Sequence, residues 1–281
     1  MTAKKTGLSR RAAVGGVGFA ASTLATKSSV AAENDAQSSR KSFVLVHGTW
    51  HGGWEWRDVR RNLTARGHEV FAPSCTGCGD RKHLMSPDVG LDTHITDIAN
   101  IIEYEELQDV ILVGHSFAGL TITGVADRMK DRIKRLVFLD ALVPHGDRMS
   151  GVSRKEDGSL SDYWMARKEK FIDGYQMDFF EEYPTEMVVP ANDEENIAWL
   201  KRRITPHPAR GWSDTLELKN GGWEGLPRTY LHCVAQAYSP TSMGMVGPAK
   251  DDPEWDYRAM PWQRNAMMTD ADAVADVLAA M

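Results

Sequence analysis

The ten residues VILVGHSFAG, 110–119, restrict the fold of this chain more than any other stretch. Four apolar residues lead into Gly114-His115-Ser116-Phe117-Ala118-Gly119, and the helical pattern AGLTITGVADRM follows at once. A buried strand that passes directly into a helix forces the serine onto a tight turn with its hydroxyl exposed. Small residues must flank that turn, because strand and helix backbones meet there. The usual pattern has glycine two residues after the serine; here Ala118 stands in that place and Gly119 comes next. Ser116 is the candidate nucleophile.

The rest of the chain repeats this alternation. SFVLVHG reads as a buried strand, and WRDVRRNLTARG as a helix with Trp56, Val59 and Leu63 on one face, stopping at Gly67. HEVFAP is a second strand. DTHITDIANIIEYEEL is helical, with Asp92 as its N-cap and Ile95, Ile98, Ile101 and Ile102 on one side. DVILVGHS, IKRLVFLDA, PRTYLHC and WDYRAM supply four more strands, and DADAVADVLAAM a closing helix. Near-continuous apolar strands between helices predict an α/β fold, a mostly parallel twisted sheet covered by helices on both faces. The span 144–222 breaks the alternation and is far longer than a crossover needs. Its aromatics (Tyr163, Trp164, Phe171, Tyr175, Phe179, Phe180, Tyr183, Trp199 and Trp212) predict a helical cap insertion over the strand ends. The core is then 41–143 together with 223–281.

Composition narrows the partners. Hydrophobic content of 42% and charged content of 26% suit a globular chain with a full core. No apolar run is long enough to span a bilayer. The net charge is −6 with no basic cluster beyond the N-terminus, which argues against nucleic acid. Residues 1–32 have the form of a Tat-like signal peptide: the pair Arg10-Arg11, a Gly/Ala-rich apolar core, and Val30 and Ala32 at the cleavage positions. A polar linker, 33–40, follows. The expectation is export to a periplasmic or extracellular location; the alternative is a disordered Ala/Ser-rich tail. Loss of the segment's five basic residues would leave 28 basic against 39 acidic. Cys75, Cys78 and Cys233 are an odd set. Cys-Thr-Gly-Cys lacks the second pair a zinc site requires, so these read as apolar fillers with at most one bridge. No metal and no cofactor are expected.

LVHGTWHGGWEW, 45–56, supplies a second element of chemistry. A His-Gly pair at the end of the first strand can aim a backbone N–H at the serine turn. An oxyanion hole needs that donor and the N–H that follows the nucleophile, here Thr49 and Phe117. His47 and His51 read as histidines that hold the loop backbone.

Taken together, FVLVHGTWHGGWEW, FAPSCTGCGDRKHLMSPDVGLDTHITDI, VGHSFAGLTITGVADR and RLVFLDALVP resemble the α/β-hydrolase fold. More narrowly, they resemble the bacterial relatives of plant hydroxynitrile lyases and small methyl esterases, from about residue 42 to the C-terminus. The resemblance implies an eight-stranded-type core, a helical cap and a cofactor-free Ser–His–acid site for esters, lactones or related carbonyl compounds. The usual acid position, after RTYLHC, reads VAQAYSP and holds no carboxylate. Asp140 matches the aspartate of the relatives' LDA motif; it is either the catalytic acid or a cap for the next segment. The family's Gly-His-Asp-Ala-Met corresponds here to Gln263-Arg264-Asn265-Ala266-Met267, which sets Arg264 where the base is expected. Arginine stays protonated and cannot accept a proton. A relocated base would be His232 or His145. Arg264 itself would bind an anion, stabilise an enolate, or pair with Asp140, the last being the blandest reading. The leading expectation is an atypical serine hydrolase for a small apolar or aromatic substrate. A lyase or cyclase on the same scaffold, or a binding protein without turnover, are its rivals.

Overall fold

The computed structural model describes residues 40–146, 149–180, 183–235 and 246–281. The predicted signal peptide, and all of the linker except Arg40, lie outside the described residues. Lys41–Met281 forms one compact unit.

Its central sheet has six strands: β1 (Ser42–Val46), β2 (Glu69–Phe71), β3 (Val110–His115), β4 (Ile133–Leu139), β7 (Arg228–Cys233) and β8 (Trp255–Met260). They lie in the order β2-β1-β3-β4-β7-β8, and every adjacent pair is parallel. The resemblance implied an eight-stranded type; six strands form this sheet among the described residues.

The period-two alternation of the strands decides what covers each face. Val44 and Val46, Val110 and Leu112, and Leu136 and Phe138 point to one side. There they meet helices α2 (Leu91–Tyr104) and α3 (Ala118–Met129). Phe43 and Leu45, Ile111 and Val113, and Val137 and Leu139 point to the other. There they meet α1 (Arg57–Ala65) and the closing helix α8 (Ala271–Ala279). Both faces are therefore dry, which is why the strands read as unbroken apolar runs rather than as alternating ones.

One local expectation fails. Helix α2 starts at Leu91 with Gly90 as its N-cap, not Asp92. The Leu91 N–H is taken instead by the Asp214 carboxylate, 3.0 Å away and 123 residues further on. With that acceptor supplied from a distance, Asp92 is free to pair with Arg128 on the surface.

The insertion 144–222 is less helical than its aromatic content suggested. It contains short helices α4 (Asp162–Lys168), α5 (Glu194–Lys201) and α6 (Ala209–Ser213), and a two-residue ribbon of β5 (Gln176–Met177) with β6 (His207–Pro208). Much of the rest is irregular. Its own core gathers Trp164, Phe171, Met177, Phe179 and Ala209 around Trp50, which comes from the loop after β1.

Candidate active site

Ser116 stands at the junction of β3 and α3 with φ of +56°, a left-handed backbone that a non-glycine residue adopts only under tight constraint. The constraint is visible. The Ser116 N–H donates to Leu139 O at 3.3 Å, and its carbonyl accepts from Gly119 N at 3.2 Å and Leu142 N at 2.9 Å. A Cβ on Gly119 would lie 1.8 Å from the Leu142 carbonyl oxygen. Glycine is thus indispensable at 119, one residue later than the usual pattern, and Ala118 is tolerated because the backbone crowding falls on its neighbour.

Asp140 follows β4, fully buried, with φ of +43° and its N–H donating to Leu231 O at 2.8 Å. Arg264 lies in the loop between β8 and helix α7 (Ala266–Thr269). Its guanidinium joins the two ends of the sheet's chemistry: Nη1 donates to Asp140 Oδ2 at 2.5 Å, and Nη2 donates to Ser116 Oγ at 2.6 Å. Carboxylate, guanidinium and hydroxyl therefore form one line, closed by residues 116, 140 and 264 from three strand ends. The pairing of Arg264 with Asp140, one of the readings offered for the arginine, is present in this geometry.

The relocated-base expectation is not met by this arrangement. His232 Nδ1 is hydrogen-bonded to the Tyr257 hydroxyl at 2.6 Å, and His145 Nδ1 donates to the Val143 carbonyl at 2.8 Å. Neither lines the cavity at Ser116.

That cavity has a volume of about 500 Å³. Ser116, Thr49, Arg264 and Asn265 form its base, and Trp164, Phe179, Tyr183 and Trp212 of the insertion contribute to its walls. Trp212 is fixed twice: its Nε1 donates to Thr49 Oγ1 at 3.0 Å, and its ring stacks on Phe117 with centroids 5.2 Å apart. The N–H groups of Thr49 and Phe117 have no backbone acceptor among the described residues.

The histidines of the first loop behave as loop-holding groups. His47 donates from Nδ1 to Gly48 O at 2.8 Å and accepts the Cys75 N–H on Nε2 at 2.9 Å. His51 donates from Nδ1 to Thr49 O at 2.7 Å and accepts from Asn265 Nδ2 on Nε2 at 2.9 Å. Burial holds His51 at a pKa of about 4 and His115 at about 3, so both are neutral at pH 7. Cys75, Cys78 and Cys233 are free and buried, in keeping with apolar filling. Burial also pushes up the pKa of the Cys75 and Cys78 thiols.

Sequence reasoning passed over Glu55. Its side chain is fully buried against the loop after β1, accepts the Gly48 N–H at 3.1 Å and lies 3.3 Å from His115 Nδ1. Desolvation raises its pKa above the ordinary carboxylate range. An acid set between two tryptophans in GGWEW was the available signal.

A parallel sheet with a strained serine turn at one strand end, under an aromatic insertion, defines the α/β-hydrolase architecture. The chain belongs to the alpha/beta hydrolase family, whose model matches residues 43–279. It is 37% identical over 249 residues to a carbendazim-hydrolyzing esterase of Nocardioides sp. (strain SG-4G), covering 85% of this chain and 99% of that protein. It is 35% identical over 221 residues to methylesterase 8 of Arabidopsis thaliana, covering 71% of this chain and 75% of that one. Among solved structures, an extracellular α/β-hydrolase from a Paenibacillus species superposes with a TM-score of 0.65 at 23% identity, over 85% of this chain and 98% of that one. That likeness shows the fold.

Proposed function

We propose that the chain is an esterase-type enzyme acting on a small apolar or aromatic ester, lactone or related carbonyl compound at Ser116. The observation that supports this reading is the hydrogen-bonded line Asp140–Arg264–Ser116, which runs to the strained serine turn beside the aromatic-walled cavity. The esterase names of the relatives support it. The substrate carbonyl oxygen sits against the N–H groups of Thr49 and Phe117, and Ser116 Oγ faces the carbonyl carbon.

Arg264 changes the economy of that site. It takes the base's position and cannot accept the serine proton. It does place positive charge 2.6 Å from Oγ, where it stabilises an alkoxide or an oxyanion. Loss of the histidine from such a triad costs around 10⁶ in turnover, while about 10³–10⁴ over water survives through binding and the oxyanion hole. Slow turnover is therefore expected. A lyase or a binding protein is the second reading, favoured by the same arginine.

The test is p-nitrophenyl ester hydrolysis by the wild type, Ser116→Ala and Arg264→His. The expected order is Ser116→Ala below wild type, and wild type far below Arg264→His. An Arg264→His protein no faster than wild type would sink the assignment of residue 264 to the base position. Rapid wild-type turnover would mean that another group takes the proton. The twin-arginine segment supports export of the chain, testable by fractionation and N-terminal sequencing of the secreted form.

A further inference from the structure

We infer that the ligand of this cavity carries a carboxylate, seated against the Arg264 guanidinium with its apolar body among the aromatic walls. The inference takes the cavity at Ser116 from the reading above but does not depend on hydrolysis.

The charge pattern is the first argument. Among the described residues lining the cavity there is no aspartate or glutamate, and Arg264 stands beside Ser116. His51 and His115 line it as well and are neutral, so they add no charge of either sign near pH 7.

The Asp140–Arg264 pair also has a direction. Asp140 is fully buried and does not line the cavity, whereas Arg264 does. The ion pair is thus a dipole whose positive end faces the ligand space. A carboxylate placed there meets the guanidinium first and the buried Asp140 charge only behind it. Burial of Arg264, 8% exposed, excludes most of the water that would otherwise weaken the contact.

The donors around the serine point the same way. Arg264 Nη2 donates to Ser116 Oγ, which leaves the serine hydrogen to donate to a ligand. The N–H groups of Thr49 and Phe117 lack backbone acceptors among the described residues. A neutral ester oxygen needs only the two N–H donors. Beside them the ion-paired guanidinium still has N–H donors left over from Asp140 and Ser116, and planar carboxylate is the anion whose geometry fits guanidinium. Trp50, Trp164, Phe179 and Trp212 supply stacking surface for an aromatic or alicyclic body.

The experiment is isothermal titration calorimetry with 2-naphthoate and 2-naphthamide, which share a ring and differ in charge. The acid is expected to bind the wild-type protein at least about tenfold more tightly than the amide. The gap should close in the double variant Arg264→Met/Asp140→Asn, which removes the pair without stranding a buried charge. Equal affinities, no measurable binding of the acid, or a gap that survives in the double variant would each overturn the inference. The wild-type comparison stands even if the variant does not fold. Ester hydrolysis that ignores Ser116→Ala would refute the hydrolytic reading and leave the carboxylate preference untouched.

Discussion

Replacing Arg264 with methionine probes the line of three groups through its thermodynamics. The change leaves Asp140, fully buried, without the guanidinium that lies 2.5 Å from its Oδ2. Removing one partner of a buried ion pair costs about 3–5 kcal/mol, chiefly because the remaining charge stays out of water. In a domain of this size about 1 kcal/mol corresponds to roughly 2–4 °C, so the melting temperature should fall by about 6–20 °C. The double variant Arg264→Met/Asp140→Asn removes both charges and should recover most of the loss. Urea unfolding of wild type, both single variants and the double variant, followed by circular dichroism, measures the cycle. A single variant within about 1 kcal/mol of wild type, or a double variant no better than the single, would refute the reasoning.

Two further outcomes test the surroundings of the serine. Gly119→Ala drives a methyl to 1.8 Å from the Leu142 carbonyl and should cost about 3 kcal/mol or more, whereas Ala118→Gly should cost about 1 kcal/mol; chemical denaturation of the pair decides. Glu55→Gln should stabilise the protein more at pH 8 than at pH 4, because the raised folded pKa of Glu55 makes its contribution full below the unfolded pKa and lost as pH rises; equal melting shifts at both pH values would contradict this.

What could be read in advance follows the range of the forces involved. Stretches such as 110–113 and 136–139 were legible because burial on both faces leaves unbroken apolar runs, and the serine turn because all its constraints lie within a few residues. The meeting of residues 116 and 264, 148 positions apart, was accessible only through the resemblance, since no local pattern encodes it. The N-cap of α2 was misplaced for a related reason. Aspartate is a good local cap, but Asp214 arrives from the insertion and removes the need for one. The insertion's mixture of short helices and irregular backbone left no periodicity to detect. Glu55 escaped notice because charge usually signals exposure, and its burial depends on how the loop after β1 closes over it.

The seams between insertion and core bear on how a ligand enters. Asp214 holds the first turn of α2, Thr205 Oγ1 accepts the Gly79 N–H at 3.1 Å, and the Thr205 N–H donates to Trp50 O at 3.1 Å. At the far edge Asp127 accepts three backbone N–H groups, from Lys219, Asn220 and Gly222. These ties fasten the C-terminal part of the insertion to the core, so that part cannot lift as a flap without breaking several bonds at once. Tyr163 lines the cavity while remaining 72% exposed, and there the ligand space meets the surface. A ligand entering beside it has only side chains to displace, and side chains turn far faster than domains move.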